Sequence, residues 1–371
     1  MPRLPTRLTL KAQQLNPLIR VLLRECRTLD SACNEFRWLR EKALDMKPKD
    51  RHVDSPTLTG WRSALRSMCL SRSRGMPLQY ILGDQPFGDL NIMCRRGVLI
   101  PRSETESITI HIAKVICHEF PGPTHPDGAS AARYPLQIVD LCSGTGCISL
   151  LLHALLAPRF DHLSILGIDI HPKAIRLAKD NLLHNFRLGR LSKRAIAEIQ
   201  YCRGDILCRQ GQFPGIDDCL LTYFRSPQGS KESLDVEERR VDVLVANPPY
   251  ISAESFHDGT TARSVRIFEP TLALVPPVWS PPPMTGFYEE DLFYRDIVLL
   301  SLKLRPRLVV FECGDREQAA RVSAAFVTFA TCHGESLPII SSQIWPSEAG
   351  DEVASPLSES EACAVFLHMQ S

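Results

Sequence analysis

From Gln137 onward, short apolar runs alternate with helix-patterned stretches, and few folds accept that order. "QIVDL" is followed by a helical run to about Leu156, and "SILGID" precedes "PKAIRLAKDNLLHN". "IQYC", "VDVLVA" and "RLVVFEC" come next, the last leading into "DREQAARVSAAFVTF". Strands that alternate with helices predict a parallel, doubly wound sheet with helices on both faces, an α/β fold. "PIISSQIW" and "ACAVFLHM" have only a polar loop between them, so they predict an antiparallel pair at the sheet edge, making seven strands in all.

The first 74 residues read differently. Leu29, Cys33, Phe36, Leu39 and Ala43 recur at helical spacing with Asp30 or Ser31 available as N-cap, and Leu58, Trp61, Leu65, Met68 and Cys69 form a second stripe. This predicts a small helical domain over residues 1–74. "GMPLQYILGDQPFGDLNIMCRRGVLIPRSETE" is β-rich and punctuated by glycine and proline, so residues 75–103 read as an interdomain hairpin. Residues 104–371 then carry the α/β domain. Residues 120–135, 208–238 and 275–290 lack sustained periodicity and read as inserted surface loops.

Charge and cysteine content narrow the function. Lys+Arg 43 against Asp+Glu 42 leaves a net charge of +1, which disfavours a sequence-independent nucleic-acid binder. The 13 cysteines form no CxxC pair and no zinc-spaced cluster, so they read as reduced thiols and no metal is expected. No apolar run approaches the roughly 20 residues of a membrane span. Arg3, Arg7, Lys11, Arg20 and Arg24 all precede the first acid, Glu25. Such a bias is typical of an organellar transit segment, and the alternative is a basic first helix that belongs to the fold.

"IVDLCSGTGCISLLL" sets a strand ending in Asp140 before Gly144-Thr145-Gly146 and a helix, as at the ligand-binding edge of a doubly wound sheet. The full GxGxxG is missing, because Cys142 stands where its first glycine would be, which disfavours a dinucleotide. Asp169 ends the next strand about two dozen residues on, where a carboxylate can accept from ribose hydroxyls. Asp205 and Ile206 end the third, where they could hold an adenine by its amino group and ring face. Either acid alone could be a helix cap. Together with the turn they describe a nucleoside ligand without pyrophosphate, S-adenosylmethionine.

"VDVLVANPPY" ends a strand in two prolines. An amide or exocyclic amino nitrogen is a poor nucleophile because its lone pair is delocalised, so holding it matters more than deprotonating it. The Asn247 side-chain oxygen and the Pro248 carbonyl can each accept one N–H, turning the lone pair toward a methyl donor. Pro248 and Pro249 fix the backbone there, and Tyr250 can stack on the flat amide or base. This chemistry requires no catalytic histidine or carboxylate. It reaches a planar nitrogen without saying which one.

The chain resembles the release-factor glutamine methyltransferases, HemK/PrmC-like enzymes, and within them the fungal mitochondrial branch. The resemblance rests on "MPLQYILGDQPF", "VLIPRSETE", "DLCSGTGCISL", "GIDIHPKAIRLAKDN", "VANPPYI", "SVRIFEPTLAL", "FYRDI" and "FECG" in that order. It implies a class I, Rossmann-like methyltransferase fold and methylation of the glutamine in a release factor's Gly-Gly-Gln motif, in the mitochondrion, with the cytoplasm as alternative. It implies that Cys142, Ser143, Gly144, Thr145, Gly146, Asp169, Asp205 and Ile206 line the S-adenosylmethionine site, with Arg102 near the methionine end. Asn247, Pro248, Pro249 and Tyr250 would grip the glutamine, Asn247 also standing beside the cofactor, and the helical domain would help dock the release factor.

Three departures stand out: Ser103 replaces a usual proline, Ile206 a common aromatic, and "VPPVWSPPPMTGFYEEDL" the usual Gly-Gly-x-Asp-Gly. The rival reading is an adenine or guanine amino-methyltransferase. It calls for a basic, aromatic target-recognition region, whereas residues 208–238 carry Asp217, Asp218, Glu232, Asp235, Glu237 and Glu238. A degenerate cofactor-binding scaffold is a third reading, disfavoured by the intact Asn-Pro-Pro-Tyr. The expected partner is therefore a protein, with neither membrane nor stable nucleic-acid binding.

Overall fold

The computed structural model describes residues 3–46, 60–120, 135–208, 213–223, 241–278, 287–332, 339–347 and 362–369. The chain divides into two compact units, one of residues 1–85, 94–96 and 261–269, the other of residues 86–93, 97–260 and 270–371.

The smaller unit is helical: α1 (Thr6–Leu15), α2 (Pro17–Cys26), α3 (Leu29–Asp45), α4 (Trp61–Ser73) and the short α5 (Leu78–Leu82). Asn16 caps α2 by accepting from the Leu18 amide, with Pro17 in the first turn where its missing N–H costs nothing. The N-cap of α3 is Thr28, which accepts from the Ser31 amide, rather than Asp30 or Ser31. Ala12, Leu22, Leu23, Leu39 and Leu65 pack into its core. Arg72 binds Glu35 through two hydrogen bonds of 2.7 and 3.0 Å, the paired arrangement that makes a buried charge tolerable. Leu58 of the second stripe lies outside the described residues. "PLQYIL", expected to extend a hairpin, instead forms α5, ended by Gly83 in the left-handed conformation at φ 89°. The two-stranded ladder is confined to β1 (Asp84–Phe87) and β2 (Leu90–Met93).

The larger unit continues through α6 (Ser103–Glu119), β3 (Leu136–Leu141), α7 (Cys147–Leu156), β4 (Leu163–Asp169), α8 (Pro172–Arg187), α9 (Ala195–Glu198) and β5 (Ile199–Arg203). Then come α10 (Ile216–Tyr223), β6 (Val243–Ala246) and α11 (Ala253–His257), followed by α12 (Arg263–Phe268), which belongs to the helical unit. The chain finishes with α13 (Leu292–Leu304), β7 (Leu308–Cys313), α14 (Arg316–Cys332), β8 (Ile339–Trp345) and β9 (Cys363–Met369). Strands β3 to β9 form one sheet in the order β5-β4-β3-β6-β7-β9-β8. The first five pair in parallel, while β9 runs antiparallel to both β7 and β8.

Strands β3, β6 and β7 are buried along their whole length, as parallel strands covered on both faces must be, and this explains the apolar runs at Val243–Ala246 and at residues 308–311. One core lies where α6, α7 and α8 cover the sheet, the other where α10, α13 and α14 do. Within residues 208–238, expected as a loop, Ile216–Tyr223 forms α10, and Cys219 and Leu220 bury themselves in the second core. Residues 121–134, 209–212, 224–238 and 279–286 of the three presumed insertions lie outside the described residues. The described cysteines are free thiols, and among the described residues no helix is long and apolar enough to cross a membrane.

Candidate active site

The chain order reverses at β3, whose neighbours are β4 on one side and β6 on the other, and ligands of doubly wound sheets bind beyond the strand ends at such a point. Leu141 of β3 is in register with Ile168 of β4 and with Ala246 of β6, and Ala246 with Phe311 of β7. Cys142, Asp169, Asn247 and Glu312, the residues that follow these, therefore lie side by side at the strand ends.

The first of these is a tight turn. Cys142, Gly144 and Gly146 have φ of 60, 54 and 79°, a left-handed region that glycine enters freely and other residues enter at a cost. Cys142 thus holds a conformation that suits the glycine it replaces, and burial pushes its thiol up, keeping it neutral. Behind the turn, Asp140 is wholly buried and accepts from both the amide and the hydroxyl of Ser149, tying the strand end to α7. Burial raises its carboxyl to about 7, against the pull of those hydrogen bonds.

Asp169 accepts from the Gly144 amide at 2.9 Å and from the His171 amide at 2.8 Å, one through each oxygen. Burial nevertheless raises its pKa. Asp205 turns the chain after β5: its carboxylate accepts from the Leu207 amide at 3.0 Å, and its own amide donates to the Pro214 carbonyl. Both acids thus do local backbone work without capping a helix, the N-cap of α8 being His171, while each oxygen of Asp169 keeps a further lone pair.

The segments at Cys142, Asp169, Asp205 and Asn247 open on one cleft of about 290 Å³, whose lining belongs to the larger unit alone and does not include Glu312. Of the residues singled out from sequence, Arg102, Cys142, Ser143, Gly144, Thr145, Asp169, Asp205, Ile206, Asn247 and Pro249 line it. Gly146, Pro248 and Tyr250 are not among its lining residues. Gly146 is buried at the start of α7, where an added Cβ would lie 2.5 Å from the Tyr201 hydroxyl. Pro248 is buried. Tyr250 packs against Gly314 and is anchored through its carbonyl, which accepts from Gln318 Nε2 at 3.3 Å. The Ser143 hydroxyl is buried at the cleft without a hydrogen-bond partner, a polar atom ready to meet a ligand.

Asn247 donates from Nδ2 to Thr105 Oγ1 at 3.3 Å, and Thr105 donates to Glu312 Oε1 at 2.9 Å. This commits the amide nitrogen to the protein. Burial, with Glu104 adding to it, raises the Glu312 carboxyl to about 7 against the opposing pull of Thr105, Asn247 and Arg102.

No family model matches the chain. The mitochondrial MRF1 N(5)-glutamine methyltransferase MTQ1 of Saccharomyces cerevisiae is 33% identical over 298 residues, covering 78% of this chain and 76% of that protein. The probable MRF1 mitochondrial N(5)-glutamine methyltransferase of Schizosaccharomyces pombe is 31% identical over 334 residues, 87% of this chain and 89% of its own. The chain belongs to the N(5)-glutamine methyltransferase family. Bacterial release factor glutamine methyltransferases match over shorter stretches. Among solved structures, the N-terminal domain of human METTL16 shows 17% identity and a TM-score of 0.45, covering 91% of this chain and 94% of that one. That likeness is too distant to bear on the substrate.

In this glutamine methyltransferase the cleft also gathers residues that the sequence reading passed over. Thr105 follows Arg102 on the first turn of α6 and lines the cleft beside Asn247. Phe213 lines it with Asp205 and Ile206, and the Arg203 guanidinium sits 3.6 Å above the Phe213 ring centre. An aromatic thus lines the cleft beside Ile206 from a segment read as loop. Leu272, Ala273 and Pro277 line the cleft from the stretch that stands at and just before the lost Gly-Gly-x-Asp-Gly. Thr105 and Glu312 were legible as "SETE" and "FECG", without any signal that they meet.

Proposed function

We propose that this chain transfers a methyl group from S-adenosylmethionine to the side-chain nitrogen of the glutamine in a release factor's Gly-Gly-Gln motif, and that it does so in the mitochondrion. The observation that carries this reading is the register of Leu141 with Ala246, which brings the glycine turn and the Asn-Pro-Pro-Tyr segment to the mouth of one cleft.

The cleft suits the donor. Asp169 has lone pairs left for ribose hydroxyls, and the unpartnered Ser143 hydroxyl can meet a polar group of the donor. Asp205, Ile206 and Phe213 offer an acceptor and flat apolar contact for adenine, and Arg102 a cation for the methionine carboxylate. Bound there, the donor supplies an electrophilic methyl on a sulfonium.

On the target side, Asn247 Oδ1 and the Pro248 carbonyl accept the two N–H bonds, so the nitrogen lone pair faces the methyl carbon. Tyr250, packed against Gly314 and held by Gln318, supports this segment from outside the cleft lining. A new N–C bond forms as the C–S bond breaks, and the surplus proton leaves the nitrogen for water. The helices of residues 1–74 provide a docking surface for the release factor.

Incubation with labelled S-adenosylmethionine and either a purified mitochondrial release factor or total RNA tests this. Label on the glutamine of the Gly-Gly-Gln motif is expected, and label in RNA alone overturns it.

A further inference from the structure

Glu312, the penultimate residue of β7, has 3% of its surface exposed. Oε1 accepts from the Thr105 hydroxyl, and Oε2 has no hydrogen-bond partner. Leaving one oxygen of a buried acid unmatched costs stability, so the position is not explained by packing.

The hydrogen-bond logic of the chain supplies a role. A threonine hydroxyl has one proton, and an ionised carboxylate can only accept. With Glu312 ionised, the Thr105 proton is spent on Oε1, and Thr105 shows Asn247 only its lone pairs. Asn247 must then turn Nδ2 toward Thr105 and leave Oδ1 for the cleft, as the 3.3 Å contact has it. With Glu312 protonated, its own O–H can donate to Thr105. The threonine proton is then released to Asn247, where it selects the flipped amide. Two Asn247 N–H donors would face the two N–H donors of the target.

We propose that Glu312 is a positioning residue for methyl transfer: its carboxylate, acting through Thr105, sets which end of the Asn247 amide meets the target nitrogen. This rests on the reading that Asn247 Oδ1 accepts from the target amide.

The surroundings make the switch a titratable one. Arg102 and Glu104 act on Glu312 from the start of α6, with opposite signs. Tyr250 faces it from the Asn-Pro-Pro-Tyr segment, Cys147 from α7, its neighbour Cys313 from β7 and Cys363 from β9. Burial raises the phenol and all three thiols, so these groups stay neutral near pH 7 and Glu312 is left to change charge among them. Transfer should fall as pH drops through the Glu312 value of about 7.

The test uses the full chain with 15N-labelled asparagine. The side-chain NH2 signal of Asn247, identified by its loss in Asn247→Ala, is followed across pH beside the methyl-transfer rate. In the native chain the signal and the rate should titrate together. Glu312→Gln should abolish the titration and lower kcat about tenfold or more with little change in donor KM. Thr105→Val, which keeps the carboxyl group but cuts the relay, should abolish it too, and Thr105→Ser should restore it. A titration that survives both Glu312→Gln and Thr105→Val overturns the proposal, as does a native signal that does not titrate. Because the NMR signal needs no target, a chain that titrates as described yet methylates no release factor supports this role for Glu312 and defeats the proposed substrate instead.

Discussion

The Gly144 amide donates to Asp169 Oδ2 at 2.9 Å across 25 residues of sequence. The other oxygen accepts at 2.8 Å from the amide of His171, the residue that caps α8. One carboxylate thus holds the glycine turn against the end of the neighbouring strand. A ligand that reaches Asp169 meets an acceptor whose direction is already fixed, so little ordering remains to be done on binding.

Asp169→Asn keeps the size of the side chain while removing its charge and one acceptor. Charge-assisted hydrogen bonds are worth about 1.5–3 kcal/mol, so donor affinity should weaken about 10- to 100-fold. Isothermal calorimetry with S-adenosylmethionine checks this, and unchanged affinity would remove Asp169 from the donor site.

Asn247→Ala separates holding the target from holding the donor. The alanine variant keeps the turn at Cys142–Gly146 and the carboxylate at Asp169, so donor binding should stay within a few-fold of native. The transfer rate should fall about 10²-fold or more, the scale expected when a reacting group loses its alignment. Single-turnover transfer and donor calorimetry on the same preparation decide it. Equal loss of both would mean that Asn247 is structural.

The strand-to-helix rhythm after Gln137 made the sheet legible, because each buried parallel strand has to be apolar on both faces. Its strand order was not, since no local pattern in "RLVVFEC" and "ACAVFLHM" says that β9 lies between β7 and β8. At the cleft, the turn and Asn247 announced themselves through glycine and proline, residues whose backbone constraints show in sequence. Thr105, Phe213 and Glu312 carry no such mark. Glu312 reaches Asn247 only because Ala246 is in register with Phe311, a fact of pairing rather than of either motif. The helix at Ile216–Tyr223 hid for a related reason: its short apolar stripe of Ile216, Cys219 and Leu220 covers only two turns within a polar segment.

Asp140 makes stability depend on pH in an uncommon direction. Burial holds its carboxyl at about 7 when folded, against an ordinary value of 3.8. Between those values the folded chain keeps a proton that the unfolded chain has lost. Its contribution therefore falls as pH rises from about 4 to about 7 and levels off above, and the raised Glu312 acts in the same sense. Asp140→Asn removes the titration. Relative to the native chain, the variant should gain between pH 5 and 7 by up to about 1.4 kcal/mol per pH unit, and urea denaturation of both proteins measures the difference. A constant difference across that range would show that Asp140 is ionised throughout.

The basic residues of the first stretch have a structural reason. Arg3, Arg7, Lys11, Arg20 and Arg24 are all exposed, while Ala12, Ile19, Leu22 and Leu23 are buried. Arg7, Lys11, Arg20 and Arg24 lie on the solvated face of α1 and α2, and the opposite face builds the core of the helical unit against Leu39 and Leu65. Truncating a buried leucine to alanine costs about 2–5 kcal/mol, so Leu22→Ala should lower the melting temperature measurably. A chain cut just before Glu25 loses α1, most of α2 and all four buried residues at once. It should lose the cooperative helical signal of this unit in circular dichroism. If the cut chain instead melts like the intact one, α1 and α2 contribute nothing to the fold.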